Sequence, residues 1–524
     1  MKELKTKLLK QRLYSLHSSL GVFISLFMYI SLFFGIFTIF KPFITVWEKP
    51  SRHFERIDST VTDYEKILKA IISNPNYPKN NIYIELPGYF DDPAIKITHR
   101  FMPANYFNPY TNQKIEAKNE LSYLGGFLNH LHYGRPFMII GKIIFGLIAI
   151  GTMVLILGGL MLIIKMKFNN KGRNGQANFS KWHRKIFLYT SPIFLIIVLT
   201  GALMNIGYIT AKPLTSIVTK GESNDIISFT SSVLKPAQVP IKSLEEEVKM
   251  LSISKLIQKA KNINTSVNYQ KIKLINWNDK TARVQFIGYN PYKPFLNGVY
   301  NKEKVLLSAV DGRLIKDIRA EDSAWVILFA DAFYFIHLLY DVDIFTRIFV
   351  ALLMGLSTFA IGFGMLLWLE RKAKIFDGKV VFYHWLGRFS LAIMLGVIPS
   401  TAILFITQWL LPFDLANKIT IQQIIFYNSW LGTLVWSLYR LNSYKAAKEF
   451  LFSGGILFIL ASIIHQIVSG FSLFSLYESK MFDILSVDLS LIILGSILII
   501  ISIKLPKNRE SAKFFWNKKY TRST

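Results

Sequence analysis

The sequence predicts a polytopic α-helical membrane protein of about eight transmembrane helices, with two α+β modules outside the bilayer. Three observations predict it. Eight nearly uncharged apolar runs recur along 524 residues. Most reach the roughly 20 residues that a helix needs to cross about 30 Å of hydrocarbon. Basic residues collect in the segments that alternation of the helices places on one side. Two long polar segments interrupt the apolar pattern on the other side.

The runs are Leu20–Phe40, Ile143–Ile164, Ile186–Ile206, Ile348–Leu369, Phe389–Leu411, Ile421–Leu438, Leu451–Phe474 and Ile484–Ile503. The sixth is short and holds Asn428 and Ser429. With flanking residues they give helices over 13–41, 132–166, 181–210, 336–370 and 381–411, then three more within 421–503, and a basic tail over 504–524. The first run is too long for the apolar part of a signal peptide, and no small-x-small cleavage site follows it.

The formal charge of +28 raises the possibility of nucleic acid, and its distribution answers it. Lys165–Lys185 holds seven basic residues and no acid; Met1–Arg12 holds five and one. Lys504–Thr524 holds seven and one, and the loops at 370–379 and 440–449 are also net basic. The loops at 414–418 and 478–483 are neutral or slightly acidic. This is the positive-inside pattern, with both termini cytoplasmic. The partner is a lipid bilayer, not nucleic acid. Cysteine is absent, which excludes disulfides, thiolate metal sites and cysteine-ligated iron–sulfur clusters.

The polar segments are 49–131 and 212–335, both external by alternation. Each opens with a helix-like stretch, Val61–Ile72 and Leu244–Ala260. Strand-like pieces follow at Ile82–Leu86, Ile95–Phe101, Lys271–Ile275 and Ala282–Ile287. Each segment then shows a turn, NPYTNQKI at Asn108–Ile115 and AVDGRLI at Ala309–Ile315. Each reads as a helix on an antiparallel sheet.

The chain also repeats itself. At an offset of 205 residues, Leu131-His132 falls on Ile336-His337 and Gly159 on Gly364, without a gap. The units share one orientation, so they are parallel repeats. Five histidines occupy equivalent helix entrances. His17, His183 and His384 start helices one, three and five at the cytoplasmic face. His132 and His337 precede helices two and four at the periplasmic face. One zinc ion cannot span both sets, which most of the bilayer separates. Within one set zinc could use three or four nitrogen or oxygen ligands, of which the periplasmic set offers few even with His130 two residues from His132. Haem needs one or two axial ligands per iron, and imidazoles on facing helices can clamp it. Basic residues such as Arg135, Arg184 and Lys185 stand where propionates would emerge. The reading is two haems, one per leaflet: His132 with His337, and His17 with His183, His384 being the rival on the inner side. His465, within helix seven, is a further ionisable candidate. His130 is a neighbour of the outer set, and His53 and His99 read as surface residues.

These pieces resemble the PepSY-associated transmembrane family, which includes inner-membrane ferric-siderophore reductases. The resemblance rests on LHSSLG, NHLHYG with GGLMLIIK, KWHRKIF with VLTGALMN, FIHLLYD with FGMLLWLERK, and YHWLGRF, together with the two module turns. It covers roughly residues 10–410. Asn112 stands where the family pattern has a turn glycine, Phe187 stands where Gly21 and Gly387 stand, and the last three helices lie outside the match. The resemblance implies PepSY-like periplasmic modules, two b-type haems, a bacterial inner-membrane location and reduction of a periplasmic ferric chelate such as a ferric siderophore. No G-x-G-x-x-G fingerprint opens a βαβ unit, so the expected donor is a separate cytoplasmic reductase or a membrane quinol. Two other readings compete. One is a non-catalytic membrane protein whose modules bind or restrain an envelope protease or other partner. The other is a permease, against which the core offers few buried charges.

Overall fold

A computed structural model describes residues 2–55, 58–59, 62–116, 120–165, 175–222, 241–296, 298, 301–339, 341–375, 380–440, 442–508 and 510–511. The basic loop over 166–174, the start of the second polar segment over 223–240 and the tail from 512 onward lie outside the described residues.

The chain opens with α1 (Lys2–Ile39), followed by α2 (Lys41–Trp47). The apolar run begins at Leu20, yet the helix begins 18 residues earlier. The preceding Lys, Leu, Glu and Gln residues are good helix formers and need no burial to continue it. The first polar segment gives α3 (Tyr64–Ile72) and strands β1 (Ile82–Glu85), β2 (Ile95–His99) and β3 (Met102–Phe107). The first half of the bundle closes with α4 (Leu124–His132) and α5 (Met138–Lys165). The second half repeats this plan. Its long helix is α6 (Gly175–Ala202), continued through a π-turn at Leu203–Gly207 into α7 (Tyr208–Val218). The second polar segment gives α8 (Ile253–Ile263) and strands β4 (Asn268–Ile275), β5 (Arg283–Tyr289), β6 (Glu303–Ser308) and β7 (Leu314–Ile318). Then come α9 (Trp325–Leu338) and α10 (Ile344–Ile375).

Asp63 caps α3 by accepting from the Lys66 N–H, so the helix starts at Tyr64. Leu244–Ala260 was expected to be helical; only the part from Ile253 is, with Ser252 as its cap. Both helices bury positions i, i+3, i+4 and i+7: Tyr64, Ile67, Leu68 and Ile71, and Ile253, Leu256, Ile257 and Ala260.

The two modules are not separate sheets. β1 pairs antiparallel with β4, and one seven-stranded sheet results, in the order β3-β2-β1-β4-β5-β6-β7. Ile84 lies opposite Ile97 on one side and Ile272 on the other. Both helices share a single apolar core with one face of this sheet. The other face carries Tyr83, Glu85, Lys96, Lys271 and Lys273; Lys96 and Lys271 both pair with Glu85, at 3.1 and 3.2 Å.

The remaining helices are α11 (Val381–Leu391), α12 (Val397–Leu410), α13 (Lys418–Tyr439), α14 (Ser443–Ser469), α15 (Leu473–Glu478) and α16 (Phe482–Lys504). A second π-turn, Ala392–Gly396, joins α11 to α12. Seven helices among the described residues are long and apolar enough to cross a membrane. They correspond to every expected run except the sixth, whose 22-residue helix α13 does not meet that measure. Both of its ends nevertheless bond to the neighbouring helices α11 and α12. Lys418 Nζ donates to the Gln408 carbonyl at 2.7 Å at one end, and Ser437 Oγ to the Arg388 carbonyl at 3.2 Å at the other. Thus α13 lies alongside α11–α12 from about Arg388 to Gln408. Large apolar side chains on α5 and α10, among them Ile150, Leu157, Phe349 and Leu352, remain exposed. Lipid-facing surface has that character, and the chain is a multi-pass membrane protein.

Candidate functional site: two histidine pairs between the helix halves

Four of the five helix-end histidines meet in two pairs. His17 of α1 faces His183 of α6, with ring centroids 6.2 Å apart. His132 of α4 faces His337 of α9, with centroids 6.1 Å apart. Each pair takes one histidine from each half of the repeat.

Each ring rests on a glycine of a neighbouring helix. A Cβ built on Gly35 of α1 would stand 3.0 Å from the His132 ring, and one on Gly159 of α5 would stand 3.1 Å from His17. The second half repeats the exchange: Gly201 of α6 would come to 3.0 Å of His337, and Gly364 of α10 to 2.9 Å of His183. A side chain at any of these positions would crowd the imidazole, most of all at Gly364.

The carbonyl four residues before each glycine lies beside the same ring. His132 Nδ1 donates to the Ser31 carbonyl at 2.7 Å, and His183 Nδ1 to Ala360 at 2.7 Å. His337 Nδ1 is 3.1 Å from the Ile197 carbonyl and 2.9 Å from Thr200 Oγ1. The Leu155 carbonyl takes this place beside His17, whose Nδ1 is buried and makes no hydrogen bond among the described residues. An Nδ1–H held by a carbonyl leaves Nε2 with its lone pair, the tautomer that binds a metal.

The histidines lie within helices rather than at their first turns: His17 is 15 residues into α1 and His183 eight into α6. A helix rises about 1.5 Å per residue, so the step from His17 to Gly35, where His132 rests, is about 27 Å along α1.

The pair His132–His337 opens into a cavity of about 930 Å³ between the bundle and the underside of the sheet. Leu32, Ile148, Phe194, Val198, Val350 and Met354 line its inner part. Its outer part is basic, with Lys41, Lys49, Lys96, Lys142 and Arg347 against Glu85 and Asp92. Its size is at the upper end of ligand pockets, roughly 300–1,000 Å³.

Glu48, 2% exposed, sits at the start of α4 and accepts from the Gly125 N–H at 2.7 Å. It thereby anchors the short helix that carries His132. Burial raises its carboxyl to about 7, against the hydrogen bonds that favour the charged form.

His384 is exposed on α11 and joins neither pair. His130 turns toward the Tyr123 hydroxyl, 2.9 Å from its Nε2. His465 is bonded to Asp488. His53 is not the surface residue expected: its ring packs against Trp409 and His465. Gly35 and Gly201 were missed by the sequence reading. The signal was present, since each stands 18 residues after His17 or His183.

The family model described as the PepSY-associated TM region matches residues 14–371, about two thirds of the chain. The chain belongs to that family. A comparison with curated proteins returned no match. The match ends before α11, so the histidine pairs lie inside it, and α11 to α16 outside.

Proposed function

We propose that this member of the PepSY-associated transmembrane family binds two b-type haems and passes electrons across a bacterial inner membrane to a periplasmic ferric chelate, such as a ferric siderophore. Its termini are cytoplasmic and its sheet periplasmic. One observation carries the reading. Two metal–imidazole bonds of about 2 Å plus part of a ring on each side span roughly 6 Å, the spacing of both pairs. The carbonyl beside each ring and the glycine beneath it further fit axial ligands.

His17 and His183 would hold the inner haem, and His132 and His337 the outer. When bound, haem would supply a one-electron iron couple, which the histidines that hold it and a dry surrounding would tune. The chain's own groups do the rest. Carbonyls of Ser31, Ala360 and Ile197 hold the Nδ1 protons and fix the rings. The apolar lining of the cavity excludes water. Its lysines draw an anionic chelate toward the outer pair. Reduction loosens such a chelate because hard oxygen ligands favour Fe(III) over Fe(II). The electron donor is a cytoplasmic reductase or a membrane quinol.

Pyridine-haemochrome analysis of haem-replete protein tests this. Two non-covalent haems per chain are expected, with sharp reduced α and β bands. A colourless folded protein would instead favour a non-catalytic role, in which the modules bind an envelope protease or another partner.

A further inference from the structure

A second buried polar cluster lies away from both histidine pairs, where α2 meets the C-terminal helices. His465 of α14 and Asp488 of α16 are both fully buried, and His465 Nδ1 lies 2.7 Å from Asp488 Oδ2. Trp47 Nε1 donates to the other carboxylate oxygen at 3.1 Å. This accounts for one nitrogen of His465. The other, Nε2, is buried with no hydrogen-bond partner among the described residues, and so are His53 Nε2 and Trp409 Nε1. The three rings are in contact: centroids are 4.5 Å apart for His465 and Trp409, 5.3 Å for His53 and His465, and 5.4 Å for His53 and Trp409.

Three unpartnered polar nitrogens on three contacting rings carry the desolvation penalty of unmade bonds. The chemistry of the donors selects the occupant. Trp409 Nε1–H can only donate, whereas an imidazole nitrogen donates or accepts. A metal ion would meet the indole hydrogen, and no cluster of three metal-ligating side chains exists among the described residues. Water is the occupant whose chemistry suits all three: it can accept from Trp409 and exchange hydrogen bonds with both imidazoles, within the usual two to four polar partners.

We propose that Trp409, His53 and His465 hold one water molecule, and that this water links the partly exposed His53 to the sealed His465–Asp488 pair as a path for protons. A proton taken up from solvent makes His53 a cation; its Nε2–H gives a proton to the water, which gives one to His465 Nε2. The Nδ1 proton of His465 then passes to Asp488 Oδ2. His53 is neutral again, and Asp488 has gained the one proton that solvent supplied. The water suits the role because it can pair with either protonation state of each imidazole. The other charged groups nearby point elsewhere: Glu48 to Gly125, and Glu55 to Lys480 at 3.4 Å on the surface.

The exchange needs no bound cofactor, so it is tested on the full-length protein in nanodiscs with ¹⁵N-labelled histidine. His465 is 0% exposed, and a sealed ring would exchange its N–H for deuterium over hours. The path predicts exchange at least tenfold faster than that, and His53→Phe should slow it at least tenfold. His53→Gln, which keeps a polar group for the water but cannot relay in the same way, should also slow it, and serves if the first variant fails to fold. Slow exchange in the unmodified protein, or an unchanged rate in the folded variant, overturns the proposal. So does a high-resolution map with no density between the three nitrogens.

Discussion

Each of the four paired histidines depends on a residue with no side chain. That makes the glycines as testable as the ligands. Gly364→Ala would put a Cβ 2.9 Å from His183, closer than packed atoms sit, so either the ring or α10 must move. Overpacking of this kind typically costs about 1–3 kcal/mol. We expect the inner haem of Gly364→Ala to lose its six-coordinate low-spin spectrum while the outer haem keeps its own. The histidines divide in the same way. His132→Ala and His337→Ala should damage one haem, His17→Ala and His183→Ala the other, and any of the four should abolish chelate reduction. His384→Ala should leave both spectra unchanged; if it removes the inner haem, the inner pairing is wrong. Two other residues set a pH dependence. Glu48, raised to about 7 from 4.5, holds its proton more tightly in the folded state. Its contribution to stability is therefore complete below about pH 4.5 and lost as pH rises through about 7. Burial and the neighbouring His465 lower His53 from 6.5 to about 3, so its contribution is lost as pH falls below 6.5. Between pH 4.5 and 6.5 the two slopes oppose. Removing the carboxyl in Glu48→Gln should make the unfolding temperature fall on acidification across that window, while the unmodified protein changes less. Equal slopes for the two proteins would show that Glu48 does not titrate there.

At the scale of elements, the strand and helix periods of the modules were readable because each element is amphipathic. Ile82, Ile84, Ile95 and Ile97 alternate with polar residues, and the buried stripe of α3 recurs in α8. The joining of β1 to β4 was not readable, because a strand's edge partner leaves no mark in its own alternation. The sequence shows two helix-and-strand units, and nothing local tells one sheet from two. The turn residues were clearer. Asn112 has φ 56° and Gly312 φ 74°, the left-handed conformation that asparagine tolerates better than most residues. Asn112 therefore does the work of the missing glycine. The histidines' partners were half legible: Gly159 and Gly364 stood out in the repeat, but their contacts cross between helices. The Glu48 anchor and the Trp409 cluster depend on long-range packing and had no local signature. A shared sheet and core predict shared unfolding. Proline at Ile272, in central β4, removes a ladder N–H facing a neighbour and clashes with the pleat. Ile272→Pro should expose both modules to protease together, at sites around β2 as well as β5. Cleavage confined to residues 241–318 would mean that the first module stands alone.

The whole molecule is asymmetric along its bundle axis, and the asymmetry fixes what it can do. The sheet and the basic cavity stand at one end, with His132 and His337; the described parts of the basic segments, such as 2–12 and 175–185, stand at the other, with His17 and His183. Positive charge near short loops resists transfer across the membrane, so in the proposed topology the end with the basic segments faces the cytoplasm. The basic residues under the sheet do not contradict this. Lys96 and Lys271 are matched by Glu85, and Lys302 by Asp341, whereas 165–185 contains no acid at all. Orientation decides the direction of the proposed electron path. With the sheet outside, the cavity admits a periplasmic chelate to the outer pair, and the inner pair lies about 27 Å back along α1, within reach of a cytoplasmic or membrane donor. A reporter active only when exported should therefore be active when fused after Asn108, and inactive when fused at Lys171. A reporter active only in the cytoplasm should give the opposite pattern. If the Asn108 fusion behaves as cytoplasmic, the cavity faces the cell interior, and the chain cannot deliver electrons to an external chelate through the His132–His337 pair, whatever it binds.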